Sequence, residues 1–270
     1  MDYIKITFAE LQPEQKEILI AQLADAGYEG FEEADNSLDA FINNKDFDKK
    51  LLNEISFKYQ ASYTSEKIVE TNWNKIWESN FEPVVVEDYV AVRADFHKPF
   101  TNTKFEIVIT PKMSFGTGHH ATTYMMIELM EDVDFKNKTV LDFGTGTGIL
   151  AILAELSGAE KIYAIDNDDW SIENAKENFQ KNNCRRISLQ KASDASSDKK
   201  FDIILANINK NVILENFEVL KNELESDGIL LLSGLLEKDR DDIITKAKEL
   251  KLNEKTSLAR NNWIAIQLSK

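Results

Sequence analysis

The sequence predicts an α/β protein in which a small N-terminal α+β domain of ferredoxin-like pattern precedes a doubly wound, Rossmann-like sheet. Two observations predict the sheet: beyond residue 139 short apolar strands alternate with amphipathic helices, and a glycine-rich turn joins the first strand to its helix. A third predicts the small domain, because residues 1–70 read strand, helix, strand, strand, helix, strand. The expected organisation is residues 1–70, a linker helix at 71–83 and a second domain at 84–270.

The composition fits a globular protein with an acidic surface. The chain has 270 residues, 43% of them hydrophobic, and a formal net charge of −15. Such a surface repels nucleic acid and anionic membrane and attracts basic partners, although solubility alone would also explain it. The sequence contains no bilayer-spanning apolar run and no secretory leader pattern, and its only cysteine, Cys184, leaves no internal disulfide and no thiolate zinc cage. We therefore expect a cytoplasmic protein.

The elements of the N-terminal domain are predicted from alternation and from helix boundary signals. Alternating residues at Tyr3–Glu10 predict a half-buried strand, and Pro13–Ala26 predicts a helix followed by Gly27. Two strands at Tyr28–Ala34 and Leu38–Asn43, a helix at Asp46–Tyr59 and a strand at Ala61–Glu70 complete the pattern. The helix is expected to carry apolar residues on or near its inner face, namely Phe47, Leu51, Leu52, Ile55 and Phe57. A domain without histidine, cysteine or a glycine-rich loop indicates recognition, or a purely structural cap.

The middle of the chain predicts a linker, two strands and a polar loop. An aromatic, amphipathic helix is expected at Asn72–Phe81, and paired strands at Val84–Val92 and Phe105–Thr110. The loop Pro111–Thr123 (PKMSFGTGHHATT) then precedes an apolar helix, Tyr124–Met130. We expect Thr122 and Thr123 to cap that helix and to offer hydroxyls to a ligand. Adjacent histidines point in different directions, so His119 and His120 favour satisfied loop residues over a metal site.

The stretch Thr139–Leu153 (TVLDFGTGTGILAIL) predicts the centre of the second domain. An apolar strand leads into Gly144, Gly146 and Gly148, and a helix of apolar periodicity follows. Glycines at this corner allow a ligand to lie against bare backbone and permit a positive φ. An ordinary tight turn would have the same glycines, so the neighbouring residues have to identify the ligand.

Two acids favour S-adenosylmethionine over a dinucleotide. A G-x-G-x-x-G fingerprint would need glycine at Ile149, and Asp142, expected to point into the pocket, would repel a pyrophosphate but attract a sulfonium and an ammonium group. Asp166 ends the next strand, Lys161–Asp166, where it can accept hydrogen bonds from both ribose hydroxyls. The alternative is that Asp166 only caps the following helix. We therefore predict that Asp142, Gly144, Gly146 and Asp166 form a cofactor site.

Beyond this corner, strands and helices alternate to the end of the chain, which predicts a parallel sheet with right-handed crossovers. The last two strands are joined by a short turn, so one of them should run antiparallel to the rest. The expected elements are helix Asp169–Lys181, strands Arg186–Lys191 and Phe201–Ile208, helix Val212–Leu224, strand Gly228–Ser233, helix Glu237–Leu250, and strands Thr256–Ala259 and Trp263–Leu268.

These residues resemble two nested protein families. The D-x-G-x-G-x-G core, the acid that ends the second strand and the closing hairpin resemble class I S-adenosylmethionine-dependent methyltransferases. More narrowly, FGTGHHATT at Phe115–Thr123, LDFGTGTGILAI and ANI at Ala206–Ile208 are similar to the ribosomal protein L11 methyltransferase family, bacterial protein-lysine methyltransferases. The resemblance covers nearly the whole chain. It departs at Thr145 and Thr147, where many relatives have Cys-x-Ser, and at Asn209–Asn211, which lacks the usual small residue and proline.

The resemblance implies a function and a set of site residues. It implies S-adenosylmethionine as methyl donor with no metal, and the large-subunit ribosomal protein L11 as the partner, methylated on lysine side chains and the N-terminal amine. Thr123, Gly144, Asp166 and Asn207 match positions at which the family contacts its cofactor. The N-terminal domain would recognise the substrate and be joined by a mobile linker helix. An acidic chain suits such a basic substrate, and we expect a monomer.

Asn207 is the candidate catalytic residue, because its side-chain carbonyl could orient the acceptor amine; the alternative is a loop-capping amide. Asn207–Ile208–Asn209 lacks the prolines and aromatic ring of enzymes that methylate planar bases, which favours an aliphatic amine. Three competing functions stay open at this point. They are a class I methyltransferase acting on another protein or a small-molecule amine, one acting on nucleic acid, and a binding module without activity.

Overall fold

The computed structural model of the protein describes residues 3–68, 81–112 and 116–270. The chain divides into two compact units, Met1–Asn80 and Phe81–Lys270. The linker helix expected at Asn72–Phe81 lies outside the described residues except for Phe81, which is in neither helix nor strand. None of the helices in the described ranges combines the length and the apolar character needed to cross a membrane.

The N-terminal unit is a four-stranded sheet with two helices, as the ferredoxin-like pattern predicts. Its strand order is β2-β3-β1-β4, and the paired strands run antiparallel. Its core is built from strand residues that alternate inward, such as Ile6, Phe8 and Leu38, and from Leu19 and Leu23 of the first helix. The elements are β1 (Tyr3–Ala9), α1 (Pro13–Asp25), β2 (Gly30–Ala34), β3 (Ser37–Asn43), α2 (Lys49–Tyr59) and β4 (Tyr63–Ile68).

Helix α2 differs from its prediction in its start and in its inner face. It starts at Lys49 because the Asp48 carboxylate accepts hydrogen bonds from the backbone N–H groups of residues 50 and 51 and caps the helix. Leu52 and Ile55 are buried, whereas Phe57 is 88% exposed. Residues three apart share a helix face, but a residue two positions further on projects away from it. Leu51 is 39% exposed, so it is not part of the buried face either.

The second unit is organised around a seven-stranded sheet of order β10-β9-β8-β11-β12-β14-β13. The first five strands in that order are parallel, and β14 is antiparallel to both of its neighbours, as the closing hairpin predicts. The strands are β8 (Thr139–Phe143), β9 (Lys161–Asp166), β10 (Ile187–Lys191), β11 (Phe201–Asn207), β12 (Leu224–Leu236), β13 (Asn253–Arg260) and β14 (Trp263–Ser269).

Helices cover both faces of this sheet. One apolar core lies between the sheet and the first three helices of the unit, and a second lies between the sheet and the last two. Each strand therefore sends alternate residues into different cores: Val140 faces the first, and Leu141 and Phe143 face the second. The helices are α3 (Ala121–Glu131), α4 (Ile149–Leu156), α5 (Asp169–Lys181), α6 (Lys210–Glu223) and α7 (Arg240–Glu249), with a 3₁₀ turn at Glu237–Asp239.

The strand expected at Val84–Val92 is two strands. Glu87, with φ of 48°, forms a turn between β5 (Val84–Val86) and β6 (Val90–Ala94), which pair antiparallel. β6 then pairs in parallel with β7 (Phe105–Ile109), which is the edge of this three-stranded sheet. A positive φ at a glutamate carries no sequence signal, and for that reason the turn was missed.

The sheet order places the carboxyl ends of β8, β9 and β11 side by side. From β8 the chain moves through α4 to β9 and then to β10 on one side, and it returns to β11 on the other. In open α/β sheets the crevice at such a reversal is where ligands bind. The glycine turn after β8 lies at this point.

Candidate functional site

The turn after β8 has the backbone conformation that the glycines predict. Gly144, Gly146 and Gly148 have φ values of 76°, 55° and 82°, a region that L side chains rarely adopt. The N–H of Gly144 donates to the carbonyl of Ile165 at 2.9 Å. A Cβ added at Gly144 would lie 2.2 Å from Cγ2 of Ile208, so this position requires glycine for space as well as for conformation.

Asp166 ties the end of β9 to this turn. Its Oδ2 accepts from the N–H of Gly146 at 2.9 Å, and its Oδ1 accepts from the N–H of Asp168 at 3.0 Å. The cap of the next helix is Asp168, whose Oδ2 accepts from the N–H of Ser171. The alternative that Asp166 caps α5 is therefore wrong, and its carboxylate is oriented by the glycine turn.

A cavity of about 380 Å³ opens at the carboxyl ends of the parallel strands. It brings together four of the predicted site residues, Gly144, Gly146, Asp166 and Asn207, while Asp142 and Thr123 do not line it. The other lining residues are His120, Phe143, Asn167, Ser171, Ala192, Ser193, Ile208, Asn209, Val212, Gly234 and Trp263. Most of these residues were not predicted from the sequence. Several of them directly follow predicted strands, and a position at the carboxyl end of a parallel strand is the signal that could have identified them.

Asp142 is buried beside the turn. Contrary to the prediction, its side chain does not line the cavity. Side chains alternate along a strand, and since Phe143 lines the cavity its neighbour Asp142 faces the other way. The Thr145 hydroxyl donates to Asp142 Oδ2 at 2.6 Å, and Oδ1 has no hydrogen-bond partner among the described residues. Burial, reinforced by the negative charge of Asp166, raises the pKa of Asp142 to about 7.

Asn207 reaches the cavity from the last residue of β11. Its Nδ2 donates to Oγ1 of Thr123 at 3.1 Å, so the amide is held from behind by helix α3. Asn207 is 8% exposed, and its Oδ1 has no hydrogen-bond partner in the described part of the chain. A buried carbonyl oxygen without a partner, beside a cavity, favours a ligand that donates a hydrogen bond.

The prediction that Thr122 and Thr123 cap helix α3 is wrong. The cap is His120, whose Nδ1 accepts from the N–H of Thr122 at 3.3 Å and lies 2.7 Å from that residue's Oγ1. The helix therefore begins three residues earlier than expected, and both threonines are buried in its first turn. This burial is what allows the Thr123 hydroxyl to meet Asn207.

The two adjacent histidines have different surroundings, as expected. The imidazole of His119 lies 2.9 Å from the carbonyl of Glu82 and 3.1 Å from the Thr117 hydroxyl. His120 packs edge to face against Trp263, with ring centroids 4.7 Å apart, and both line the cavity. Within the described ranges no group of three or more histidine, cysteine or acidic side chains is arranged to hold a metal.

Comparison with known proteins identifies the family. The model of the ribosomal protein L11 methyltransferase family (PrmA) matches residues 5–270. The chain belongs to the ribosomal protein L11 methyltransferase family. A Phocaeicola vulgatus ribosomal protein L11 methyltransferase is 34% identical, with 99% of each chain covered. The Porphyromonas gingivalis protein of the same name is 38% identical, over 94% of this chain and 90% of its own.

Solved structures of methyltransferases share the fold. The ribosomal protein L11 methylase of Lactobacillus delbrueckii is 30% identical with a TM-score of 0.66, over 70% of this chain and 99% of that one. A methyltransferase from Pyrococcus furiosus, 18% identical with a TM-score of 0.52, covers 60% of this chain and 88% of its own and shows the fold alone. The predicted fold class and the resemblance to the L11 methyltransferase family are confirmed.

Members of this methyltransferase family use S-adenosylmethionine, which confirms the predicted cofactor. The residues present fit that molecule. The glycine turn offers bare backbone, Asp166 offers carboxylate oxygens at the cavity, and Asn207, which also lines it, has a buried Oδ1 without a hydrogen-bond partner among the described residues. A dinucleotide site would have a third glycine in its G-x-G-x-x-G turn, and that position is Ile149 here. The chemistry of the site therefore matches a cationic nucleoside donor.

Proposed function

We propose that this protein transfers methyl groups from S-adenosylmethionine to the lysine side chains and the N-terminal amine of ribosomal protein L11. The observation that carries the proposal is Asn207, a cavity-lining amide that Thr123 fixes and whose buried carbonyl oxygen has no hydrogen-bond partner within the described ranges. The names of the relatives, which are L11 methyltransferases at 34% and 38% identity over nearly the whole chain, support the substrate.

We assign cofactor binding to three groups of residues. The backbone of Gly144 and Gly146 provides the surface on which the cofactor lies, and Asp166, aligned by the N–H of Gly146, accepts hydrogen bonds from its ribose. Asp142 and Thr123 act from behind the cavity: Asp142 accepts the hydroxyl of Thr145 and so holds the glycine turn, and Thr123 holds Asn207. S-adenosylmethionine supplies the activated methyl group, and the sulfur leaves as a neutral thioether.

Catalysis by this site is mainly a matter of orientation. A lysine ammonium, with an ordinary pKa near 10.4, must release its proton to water before its nitrogen has a lone pair. The carbonyl oxygen of Asn207 then accepts a hydrogen bond from the amine and directs the lone pair toward the methyl group. Because the leaving group is neutral, it needs little stabilisation, and fixed geometry supplies most of the rate enhancement.

The net charge supports a basic protein as the acceptor. A charge of −15 repels RNA and raises the local concentration of a lysine-rich protein. Residues Asn207–Asn209 all line the cavity and include neither the aromatic ring nor the prolines that enzymes methylating planar bases carry in this segment, although His120, Phe143 and Trp263 of other elements also line the cavity. These features favour L11 over nucleic acid. We further propose that the enzyme works as a monomer in the cytoplasm, where ribosomal proteins are made.

We assign substrate recognition to the N-terminal domain, residues 1–70, and connection of the domains to residues 71–83. Among the described residues of the N-terminal unit, three large apolar side chains are exposed, Ile18 at 45%, Leu51 at 39% and Phe57 at 88%. Exposed apolar side chains of this kind are available to a protein partner. The unit itself has a complete core and lies apart from the glycine turn in sequence, which suits a recognition module.

The experiment is a methyl-transfer assay with radiolabelled S-adenosylmethionine. Purified L11, a mixture of the other ribosomal proteins, ribosomal RNA and free lysine are offered separately, and the label is located by gel and by mass spectrometry. We expect label in L11 on lysines and on the N-terminal amine. Label in a different protein, or only in free lysine, would show that L11 is not the acceptor. Label in RNA alone would show that the acceptor is not a protein amine.

A further inference from the structure

Helix α5 carries asparagines at positions 174 and 178, and Asn182 is its C-cap residue. The three side chains bind the open backbone edge of strand β7 and of Thr110, the residue that follows it. The side chain of Asn182 pairs with both backbone groups of Val108, accepting from its N–H at 2.9 Å and donating to its carbonyl at 2.7 Å. Asn178 Oδ1 accepts from the N–H of Thr110 at 2.8 Å, and Asn174 Nδ2 donates to the Thr110 carbonyl at 3.3 Å. We call Asn174, Asn178 and Asn182 the asparagine ladder.

The residue spacings of the α-helix and of the β-strand explain why the asparagine ladder matches the backbone groups of β7. Four residues of α-helix rise about 6 Å, and two residues of β-strand span about 6.6 Å. Asparagines four apart on the helix therefore meet backbone groups two apart on the strand. Among the strands of the described residues, β7 pairs only with β6, so its other edge would leave N–H and carbonyl groups open, and the ladder satisfies them.

Asn178 differs from the other two because it also contacts the glycine turn. Its Nδ2 donates to the carbonyl oxygen of Thr147 at 2.8 Å. Thr147 lies between Gly146 and Gly148, and its hydroxyl donates to the carbonyl of Gly116 at 2.7 Å. Its carbonyl and its hydroxyl are thus both fixed. Asn178 is fully buried and does not line the cavity, so any effect that it has on a ligand passes through Thr147.

The glycine turn needs such a fixed point. Glycines on both sides of Thr147 leave the backbone free to adopt many conformations, whereas a cofactor site requires one. The neighbouring Phe179 packs against Gly148 so closely that a Cβ there would lie 2.4 Å from the ring. Residues 178 and 179 of α5 therefore hold the turn by a hydrogen bond and by contact, while Asp166 holds Gly146 from the other side.

We infer that Asn178 is a positioning residue for the cofactor: it fixes the Thr147 carbonyl and so orders the glycine turn for S-adenosylmethionine. This inference rests on the proposed function. Asn182 provides a matched control, because it is the same residue type, on the same helix, bound to the same strand, but without a contact to the turn. Substitution of Asn178, but not of Asn182, should therefore weaken cofactor binding.

The test measures the Kd of S-adenosylhomocysteine, the unreactive product, by calorimetry on the full chain, together with urea unfolding. We expect Asn178→Ala to weaken binding about five- to fiftyfold, in line with loss of a hydrogen bond to a buried carbonyl. Asn182→Ala should lose stability too, but keep its Kd within about twofold of the unsubstituted protein. Equal Kd values for all three proteins, or equal weakening in both variants, would overturn the inference.

A second variant covers the case in which Asn178→Ala does not fold. Asn178→Asp keeps an oxygen that accepts from the N–H of Thr110 and removes the donor to Thr147, so it should still show the weakened binding; a Kd equal to that of the unsubstituted protein would refute the positioning role. Failure of the unsubstituted protein to bind S-adenosylhomocysteine would instead refute the proposed function, so the two failures are distinguishable.

Discussion

Asn207 and Thr123 are 84 positions apart in the sequence, and a 3.1 Å hydrogen bond from Nδ2 of Asn207 to Oγ1 of Thr123 joins them at the edge of the cavity. The threonine is 1% exposed and the asparagine 8%, so water does not compete effectively for this bond. Its consequence is a fixed rotamer for Asn207, with the other atom of the amide, Oδ1, left for a ligand. The first prediction tests this pair.

Asn207→Ala should lower kcat for L11 methylation by about 10²-fold or more, because the acceptor amine loses its orienting carbonyl. Thr123→Val keeps the volume but removes the hydroxyl, so it should lower kcat less, by about tenfold, and cost about 1–3 kcal/mol of unfolding free energy. Initial-rate kinetics and urea unfolding measure the two effects. Thr123→Ser retains the hydroxyl and is the control. Full activity of Asn207→Ala would show that the amide only caps the end of its strand.

Replacement of Asp166 should weaken cofactor binding. Asp166→Ala removes the acceptor for the ribose and also releases the N–H of Gly146, so we expect a loss of about 1–3 kcal/mol in binding free energy by calorimetry. Asp166→Asn keeps one carbonyl oxygen for Gly146 and should lose less. If the alanine variant binds S-adenosylhomocysteine as tightly as the unsubstituted protein, then the carboxylate serves only to shape the turn.

Asp142 should make stability depend on pH. Its folded pKa of about 7 lies above the ordinary value of 3.8, so between these values the folded state binds the proton more tightly than the unfolded state. The stability contributed by this proton is complete below about pH 4, falls as the pH rises through 7, and is then constant. At about 1.4 kcal/mol for each pKa unit, the change is of the order of 4 kcal/mol.

Asp142→Asn isolates this effect. The amide cannot ionise but can still accept from the Thr145 hydroxyl. The unfolding free energy of the variant minus that of the unsubstituted protein should therefore rise from pH 4 to pH 7 and then level off, as measured by urea unfolding at each pH. A difference that is independent of pH would mean that Asp142 is ionised throughout this range and that burial does not raise its pKa.

Gly234 should be intolerant of a side chain because of Ile208. A Cβ at Gly234 would lie 2.1 Å from the backbone carbonyl oxygen of Ile208, whereas one at Gly158 would meet its nearest atom at 3.5 Å. Both glycines have positive φ, 81° and 104°, so Gly158→Ala reports backbone strain alone. We expect about 1–2 kcal/mol of destabilisation for Gly158→Ala and clearly more for Gly234→Ala. Equal Tm values for the two variants would contradict the close packing at Ile208.

Substitution of Phe57 should weaken binding of the protein substrate and leave binding of the cofactor unchanged. Phe57→Ser removes a large apolar side chain of the N-terminal unit that is 88% exposed, and it should raise KM for L11 without changing kcat at saturation or the Kd for S-adenosylhomocysteine. Trp170→Ser, which removes another exposed aromatic residue, 73% exposed, from the second unit, is the control. An unchanged KM would leave the recognition role without support from this residue.

The strands and helices were largely predictable because their signals are local. Apolar alternation, proline near the start of α1 and glycine after β8 each act within a few residues, and β9 and α5 were predicted at their observed bounds. The errors occurred where the signal is weak or absent. The start of α3 depends on a histidine cap, and the break between β5 and β6 depends on a glutamate at positive φ. Neither residue type is a strong predictor of that structure.

By itself, the sequence determined the class of the site: three glycines after a buried strand and an acid after the next one lie close together in any right-handed doubly wound sheet. Only the tertiary structure decided which side chains face the ligand. Strand alternation turned Asp142 away from the cavity, and packing of α3 against the sheet brought Thr123 to Asn207. The contacts of the asparagine ladder were also decided only by the tertiary structure. Packing, and not sequence spacing, determines which distant strand a polar side chain meets.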